Sequence, residues 1–323
     1  MLFIPFKVDL ALHRFPLLTM LVCIACIVIF MQQQANFAAI EQSVVYYCNS
    51  QAEDSHLGLV LEKVHGERSL GACANIIYSL FTSKQRDKDL DTLADEAERI
   101  EAFPADYSRQ FIREKLSATY AGFEKQNTAH DLTQKLMYAP DSFKITNMIS
   151  AAFAHGSWSH VIGNLFFFFA FAAAIELALG LVAYSLIFVS LAIATHLAYS
   201  LSLLNVPDAL PTLGLSGVVM GMIGLFAFLM PTVKIRCLWW FIFFFRILRV
   251  PAWILAAWYV GWDIYDLNHS ANQSNINFVA HVSGAAIGFV LGFAFFRQRK
   301  AEIRAELMEH SETREYSRVL NKS

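Results

Sequence analysis

Long apolar runs alternate with polar segments along the chain. Six such runs occur, at about 15–31, 159–176, 181–203, 214–230, 251–267 and 279–296. A membrane-spanning helix needs about 20 mostly apolar residues, so each run predicts a transmembrane helix. No small-residue cleavage site closely follows the first run, which favours a retained helix over a signal peptide. The pattern predicts an all-α polytopic membrane protein with six transmembrane helices.

The segment 32–147 has a different pattern, with dense charges and apolar residues at helical spacing. One such series consists of Leu90, Leu93, Ala94, Ala97 and Ile100, and a second of Phe111, Ile112, Leu116, Tyr120 and Phe123. We predict a mainly helical domain outside the bilayer, inserted between helices 1 and 2. Its charges are interpreted as a solvated face.

Two connections between the later runs differ in character. Residues 231–250 are apolar but carry four basic residues, which predicts a helix lying at the membrane interface. Residues 268–278 are polar and rich in Asn and Ser, which predicts a loop.

Basic residues near the helix ends predict the orientation. They are Lys7, Arg14, Lys234, Arg236, Arg246, Arg249, Arg297, Arg299, Lys300 and Arg304. All of them fall on one side only if six spans are present, so both termini are predicted to be cytoplasmic. The predicted parts are 1–31 (N-terminus and helix 1), 32–147 (extracytoplasmic), 148–296 (helices 2–6) and 297–323 (cytoplasmic tail). The predicted location is the bacterial inner (plasma) membrane.

Composition sharpens this interpretation. The chain of 323 residues is 56% hydrophobic and only 16% charged, with a mean hydropathy of +0.43, whereas soluble domains have about 25% charged residues. The net charge of −2 provides no basic footprint for nucleic acid, so the lipid bilayer is the expected partner. Cys48 and Cys73 fall in the 32–147 segment, where they pair if the compartment is oxidising and stay free thiols otherwise.

Polar residues at the start of the second run are the first candidates for chemistry. His160 and Asn164 are one turn apart and share a helix face, while His155 precedes them, with Ser157 or Ser159 as a cap. Such donors suit an anion or a developing oxyanion. They make a poor metal-ligand set, and hydrogen bonding between helices is an equally open alternative.

A serine and a histidine at two other helix starts complete the candidates. Ser216 lies among Gly214, Gly217, Gly221 and Gly224, and His281 precedes Gly284, Gly288 and Gly292. Small residues on both helices allow the backbones to approach closely, which would bring His281 within reach of Ser216 as its general base. Asp263 and Asp266 are not expected to orient the imidazole, so a dyad is favoured over a triad.

These motifs resemble those of the rhomboid intramembrane serine proteases. The pattern H-x4-H-x3-N stands at His155, His160 and Asn164, G-x-S-G at 214–217, and A-H-x2-G-x3-G at 280–288. Glu176 and Gly180, and the stretch GWDIYDL, are also similar to the family. The resemblance covers about 148–296 plus the first span.

The resemblance implies a rhomboid-like bundle that cleaves transmembrane protein substrates near the extracytoplasmic surface without a cofactor or metal. It implies Ser216 as nucleophile, His281 as base, and Asn164, His160 and the Ser216 N–H as the oxyanion hole. His155 would support the surrounding loop. The 268–278 loop would cover the site, with the fifth helix as a gate.

The chain also departs from the family pattern. Thr146 and Asn147 stand where many members carry Trp-Arg, and Met220 stands where a Tyr often stacks on the histidine. A catalytically weak or inactive rhomboid-like protein that binds membrane clients is therefore the alternative. A transporter is disfavoured because the hydropathy shows no internal repeat.

Overall fold

A computed structural model describes residues 2–8, 15–83, 85–127, 130–204, 206, 209–241, 244–269 and 276–320. The chain divides into two compact units. One contains Met1–Met31 and Leu136–Ser323, and the other contains Gln32–Lys135.

Thirteen helices and three strands make up the described part of the chain. The helices are α1 (Leu17–Ser50), α2 (Ser55–His65), α3 (Leu70–Thr82), α4 (Arg86–Glu96), α5 (Ala105–Gln126), α6 (Leu132–Leu136), α7 (Ile145–Ala151), α8 (Trp158–Leu179), α9 (Leu181–Ser202), α10 (Ser216–Leu229), α11 (Ala252–His269), α12 (Phe278–Phe295) and α13 (Arg297–Leu320). The strands are β1 (Leu2–Val8), β2 (Lys234–Phe241) and β3 (Phe244–Pro251).

Four of the described helices are long and apolar enough to cross a membrane: α1, α8, α9 and α12. The prediction of a mainly helical integral membrane protein is thereby confirmed. The other two predicted spans form shorter or less apolar helices. Helix α10 has only 14 residues, and the 18-residue α11 carries Asp263 and Asp266.

The prediction of an interfacial helix over 231–250 is wrong, because this segment forms the antiparallel hairpin β2–β3. Strand β1 pairs with β2 and gives the sheet order β1-β2-β3. Burial alternates along the start of β2: Ile235 and Cys237 are fully buried, while Lys234 is exposed. This period of two is typical of a half-buried strand, and the N-terminal strand completes a sheet that a hairpin alone would not sustain.

The Gln32–Lys135 unit has its own apolar core. The predicted helical spacing is confirmed for α5, where Ile112 and Leu116 are buried. It is confirmed only in part for the first series: Leu90 and Ala94 are buried in α4, but the helix ends at Glu96, before Ala97 and Ile100. The charges of these two helices are partly paired as well as solvated. Asp91 of α4 lies 2.7 Å from Arg113 of α5, and α5 makes further ion pairs with Asp87 and Asp95.

A disulfide joins Cys48 in α1 to Cys73 in α3. Of the two alternatives that the sequence left open for these cysteines, the structure therefore has the paired one. Both sulfurs belong to the buried core of the Gln32–Lys135 unit.

Helix α10 lies at the centre of the membrane-type unit, packed against α8, α9, α11 and α12. The predicted close approach of α10 and α12 is confirmed. A Cβ atom added to Gly284 would overlap the carbonyl oxygen of Gly217, and one added to Gly288 would overlap that of Gly221. The two backbones therefore touch, with glycine required on the α12 side.

The predicted loop over 268–278 lies largely outside the described residues. Helix α11 continues to His269, and α12 starts at Phe278.

Candidate functional site

The first element of the site is the start of α8. Ser157 caps this helix, because its hydroxyl accepts a hydrogen bond of 3.1 Å from the His160 N–H. His160 is half-buried, and Asn164, one turn later, is buried with 8% of its surface exposed. The two side chains share one face, as their spacing predicted.

His155 lies under the first turn of α8. Its side chain is 1% exposed, and its ring packs edge-on against His160 with 5.1 Å between the ring centroids. Nδ1 lies 3.2 Å from the Phe153 carbonyl oxygen. Burial, with a smaller contribution from His160, lowers the pKa of His155 to about 4. A neutral, buried ring fits a structural role beside the site.

The second element is the loop that precedes Ser216, which approaches α8 at Gly214. A Cβ atom added to Gly214 would lie 2.8 Å from Nε2 of His160 and 3.8 Å from Nδ2 of Asn164. Gly214 also has a φ of +120°, a conformation that side chains disfavour. Both observations require glycine at this position, and together they bring the serine loop against the two α8 side chains.

Three hydrogen-bonding partners hold this loop. The backbones of Thr212 and Tyr138 exchange a pair of 2.9 Å bonds, and the Gly214 N–H donates to the Ala151 carbonyl at 2.8 Å. Asn277, the N-cap of α12, donates from Nδ2 to the Thr212 hydroxyl at 3.2 Å. The loop is thus tied both to the segment before α8 and to the start of α12.

Ser216 is the first residue of α10 and is half-buried. His281 lies in the first turn of α12, and the glycine contacts between α10 and α12 begin one turn below it. The structure therefore brings Ser216, His281, His160 and Asn164 to the same end of the bundle.

The expected hydrogen bond between Ser216 and His281 is not formed among the described residues. Nε2 of His281 is buried and has no hydrogen-bond partner there, and the same holds for Nδ2 of Asn164. Buried polar groups are normally satisfied, so one potential acceptor and one donor remain unused at the helix ends. Catalytic hydrogen bonds are often long or unmade without substrate.

Asp263 contacts the other ring nitrogen of His281. Its Oδ2 lies 3.1 Å from Nδ1. The expectation that neither aspartate is placed to orient the ring is therefore wrong for Asp263. The sequence did contain one indication that Asp263 has a partner, because a carboxylate in an apolar span is costly without one. The helical periodicity of the span does not identify which neighbouring helix the carboxylate faces. Among the described residues Asp266 makes no ion pair.

The two departures from the family motifs occupy ordinary structural positions. Met220 is 6% exposed and belongs to the core around α10. Asn147 donates from Nδ2 to the Met137 carbonyl at 2.9 Å, which stabilises the segment that precedes α8. Within the described ranges no group of three or more His, Cys, Asp or Glu side chains is arranged to hold a metal ion.

The fold places the protein among the mainly helical integral membrane proteins. The family model of the Rhomboid domain matches residues 142–298. The match confirms the resemblance to the rhomboid family that the three motifs indicated. A search of the curated proteins found no match.

Proposed function

We propose that the protein is an intramembrane serine protease in which Ser216 is the nucleophile and His281 the general base. The observation that carries the proposal is the position of Gly214 against His160 and Asn164. It brings the serine loop to two hydrogen-bond donors, while the base on α12 keeps a buried and unused Nε2.

The reaction follows from these groups. Ser216 Oγ attacks the carbonyl carbon of a peptide bond, and its proton passes to Nε2 of His281. Asn164 Nδ2, His160 and the Ser216 N–H stabilise the oxyanion. The Ser216 N–H can donate because N–H groups in the first turn of a helix have no partner within the helix. His281 then protonates the leaving amine, and a water molecule, deprotonated by the same nitrogen, hydrolyses the acyl-enzyme.

Strand pairing supports six membrane crossings. Because β1 pairs with β2, the chain returns before β2 to the side on which it started. With three crossings by α1, α8 and α9, this pairing favours α10 as the fourth. The start of α13 returns to this side as well, since Lys300 lies 4.2 Å above the Phe228 ring near the end of α10. This return supports crossings by both α11 and α12.

In this proposed topology Lys7 of β1, the basic residues of β2 and β3, and those at the start of α13 share one side, which the positive-inside rule assigns to the cytoplasm. Both termini are then cytoplasmic and 32–147 extracytoplasmic, on the side where α8, α10 and α12 begin. Ser216 and His281 therefore face the extracytoplasmic half of the membrane.

The shortness of α10 explains how water reaches the serine. Its 14 residues span about 21 Å at 1.5 Å per residue, against a hydrocarbon thickness of about 30 Å. Nearly all of α10 is buried within the bundle, so its length need not match the lipid. Ser216 then lies below the membrane surface, and a transmembrane substrate must unwind there to expose a peptide carbonyl.

Activity-based labelling tests the proposal. The full chain, purified in detergent, is treated with a fluorophosphonate probe. We expect labelling at Ser216 that is lost in Ser216→Ala and His281→Ala and kept in Ser283→Ala, a control on the same helix as the base. A wild-type protein that folds but is not labelled would refute the protease and favour the client-binding alternative.

A further inference from the structure

The contact between Asp263 and His281 joins α11 to α12 at the candidate site. Oδ2 of Asp263 lies 3.1 Å from Nδ1 of His281, and the two side chains are only 16% and 15% exposed. A carboxylate within a membrane-type bundle is costly unless a partner compensates it. Here the partner is the ring that the proposed function uses as the base.

The contact dictates where the ring carries its proton. An ionised carboxylate only accepts hydrogen bonds, so the bond requires the proton of neutral His281 to be on Nδ1. Nε2 then presents its lone pair, and this is the nitrogen that is buried without a partner in the described part of the chain. The ring is thus in the form that a general base needs.

The other helices around His281 offer no competing charge. Helix α10 has no ionisable side chain, and α8 contributes only His160 on this side. On α9, the His196 ring packs against Tyr138 with its Nδ1 2.6 Å from the Ala192 carbonyl. On α11, Asp266 is three residues beyond Asp263 and makes no ion pair among the described residues.

We propose that Asp263 is a positioning residue that fixes the tautomer and the orientation of His281, so that the site works as a Ser-His pair held by a carboxylate. The inference rests on the proposed function. It does not require Asp263 to touch the substrate or to become protonated, since its role is to accept the Nδ1–H bond in the resting base and to stabilise the charge of the imidazolium.

Three substitutions in the full chain separate this role from simple helix packing. Asp263→Asn keeps the shape but can present either an oxygen or an N–H to the ring, so it no longer requires a proton on Nδ1. Asp263→Glu keeps the carboxylate. Asp266→Asn removes a neighbouring carboxylate of the same helix and is the matched control.

The first readout is the rate of Ser216 labelling by a fluorophosphonate probe. We expect Asp263→Asn to slow it at least about tenfold, with about 10⁴-fold as the upper limit set by the same substitution in soluble serine proteases. We expect partial rescue in Asp263→Glu and an unchanged rate in Asp266→Asn.

The second readout is the ¹⁵N NMR signature of the His281 ring in protein with labelled histidine, assigned by comparison with His281→Ala. In the wild type we expect a protonated Nδ1 and an unprotonated Nε2. In Asp263→Asn we expect a mixture of tautomers. A merely structural bond would change stability without changing this signature.

The outcomes are distinguishable. Absence of labelling in the wild type defeats the proposed function itself. Labelling of the wild type with an equal rate in Asp263→Asn defeats only the role of Asp263. A wild-type ring protonated on Nε2 also defeats it, and this measurement remains decisive if Asp263→Asn does not fold.

Discussion

Replacing Gly288 by alanine tests whether α10 and α12 touch through their backbones. The added Cβ atom would overlap the carbonyl oxygen of Gly221 and approach its Cα. A backbone carbonyl inside a helix cannot rotate away as a side chain can, so the overlap is relieved only if the two helices separate. The same contact repeats one turn earlier, between Gly284 and Gly217, so a separation at Gly288 also strains the turn beside the site.

Two effects of opposite sign set the magnitude. Alanine in a helix is favoured over glycine by about 1 kcal/mol, whereas overpacking of a close-packed interior costs about 1–3 kcal/mol or more. Gly163 of α8 has no neighbour within 4 Å of an added Cβ, so Gly163→Ala receives only the favourable effect. The two substitutions should therefore differ in sign.

Thermal unfolding of the purified full chain in detergent provides the assay. A change of 1 kcal/mol shifts the melting temperature by about 2–4 °C for a domain of this size. Because the overlap is with a backbone oxygen that cannot turn aside, the overpacking cost is taken at its upper end, about 3 kcal/mol, which leaves about 2 kcal/mol after the gain from alanine. We therefore expect Gly288→Ala to lower the melting temperature by about 4–8 °C and Gly163→Ala to leave it equal or slightly higher. If Gly288→Ala melts at or above the wild-type temperature, the helices are not in backbone contact and the derived position of His281 relative to Ser216 fails with it.

Three further predictions concern other parts of the chain. The Lys115 ammonium, 2.5 Å away, and the Leu57 and His56 N–H groups hold the pKa of Asp54 below its usual range. The stability that this carboxylate adds is therefore present above about pH 4 and lost as the pH falls through the lowered pKa. Asp54→Asn should flatten the decrease of unfolding free energy at acid pH, and an unchanged decrease in this variant would contradict the prediction. Glu176→Gln should destabilise the protein by about 2–3 kcal/mol in denaturant titrations, because the buried carboxylate accepts three hydrogen bonds of 2.7–2.9 Å at the start of α1. Reduction of the Cys48–Cys73 bond, which closes a loop with a sequence separation of 25, should cost up to roughly 3.5 kcal/mol, and a melting temperature insensitive to reductant would argue against the pairing.

Much of the fold could be predicted because membrane-spanning helices have a distinctive apolar composition. The apolar runs gave the positions of α8, α9 and α12 to within a few residues, since a bilayer imposes both length and hydrophobicity. The two amphipathic series in 32–147 predicted α4 and α5 for an analogous reason: only one face of each helix is buried.

The hairpin β2–β3 was missed because its evidence is not local. Its segment is apolar and basic, which suits an interfacial helix equally well. The segment forms strands because it pairs with β1, which lies more than 200 residues earlier in the chain. The residue pattern within 231–250 contains no information about so distant a partner. The same limit applies to Asp263, whose contact with His281 depends on the rotation of α11 about its axis.

The sequence was sufficient to predict the candidate site residues, but not the hydrogen bonds that hold them in place. Spacing placed His160 and Asn164 on one face, and glycine patterns predicted the approach of α10 and α12. The ties that hold the serine loop involve Tyr138, Ala151 and Asn277. None of these residues is unusual in type, so only the three-dimensional arrangement identifies them.

The glycine contacts and the Asp263 bond constrain the site in different ways. The contacts Gly217–Gly284 and Gly221–Gly288 set the distance between two helices, and because Ser216 and His281 lie within one turn of them, any change there alters stability and geometry together. Asp263 acts on one ring from a third helix, so its replacement can change the proton position while α10 and α12 stay in place. Substitutions at the glycines should therefore show correlated losses of stability and labelling, whereas Asp263→Asn should lose labelling with little loss of stability.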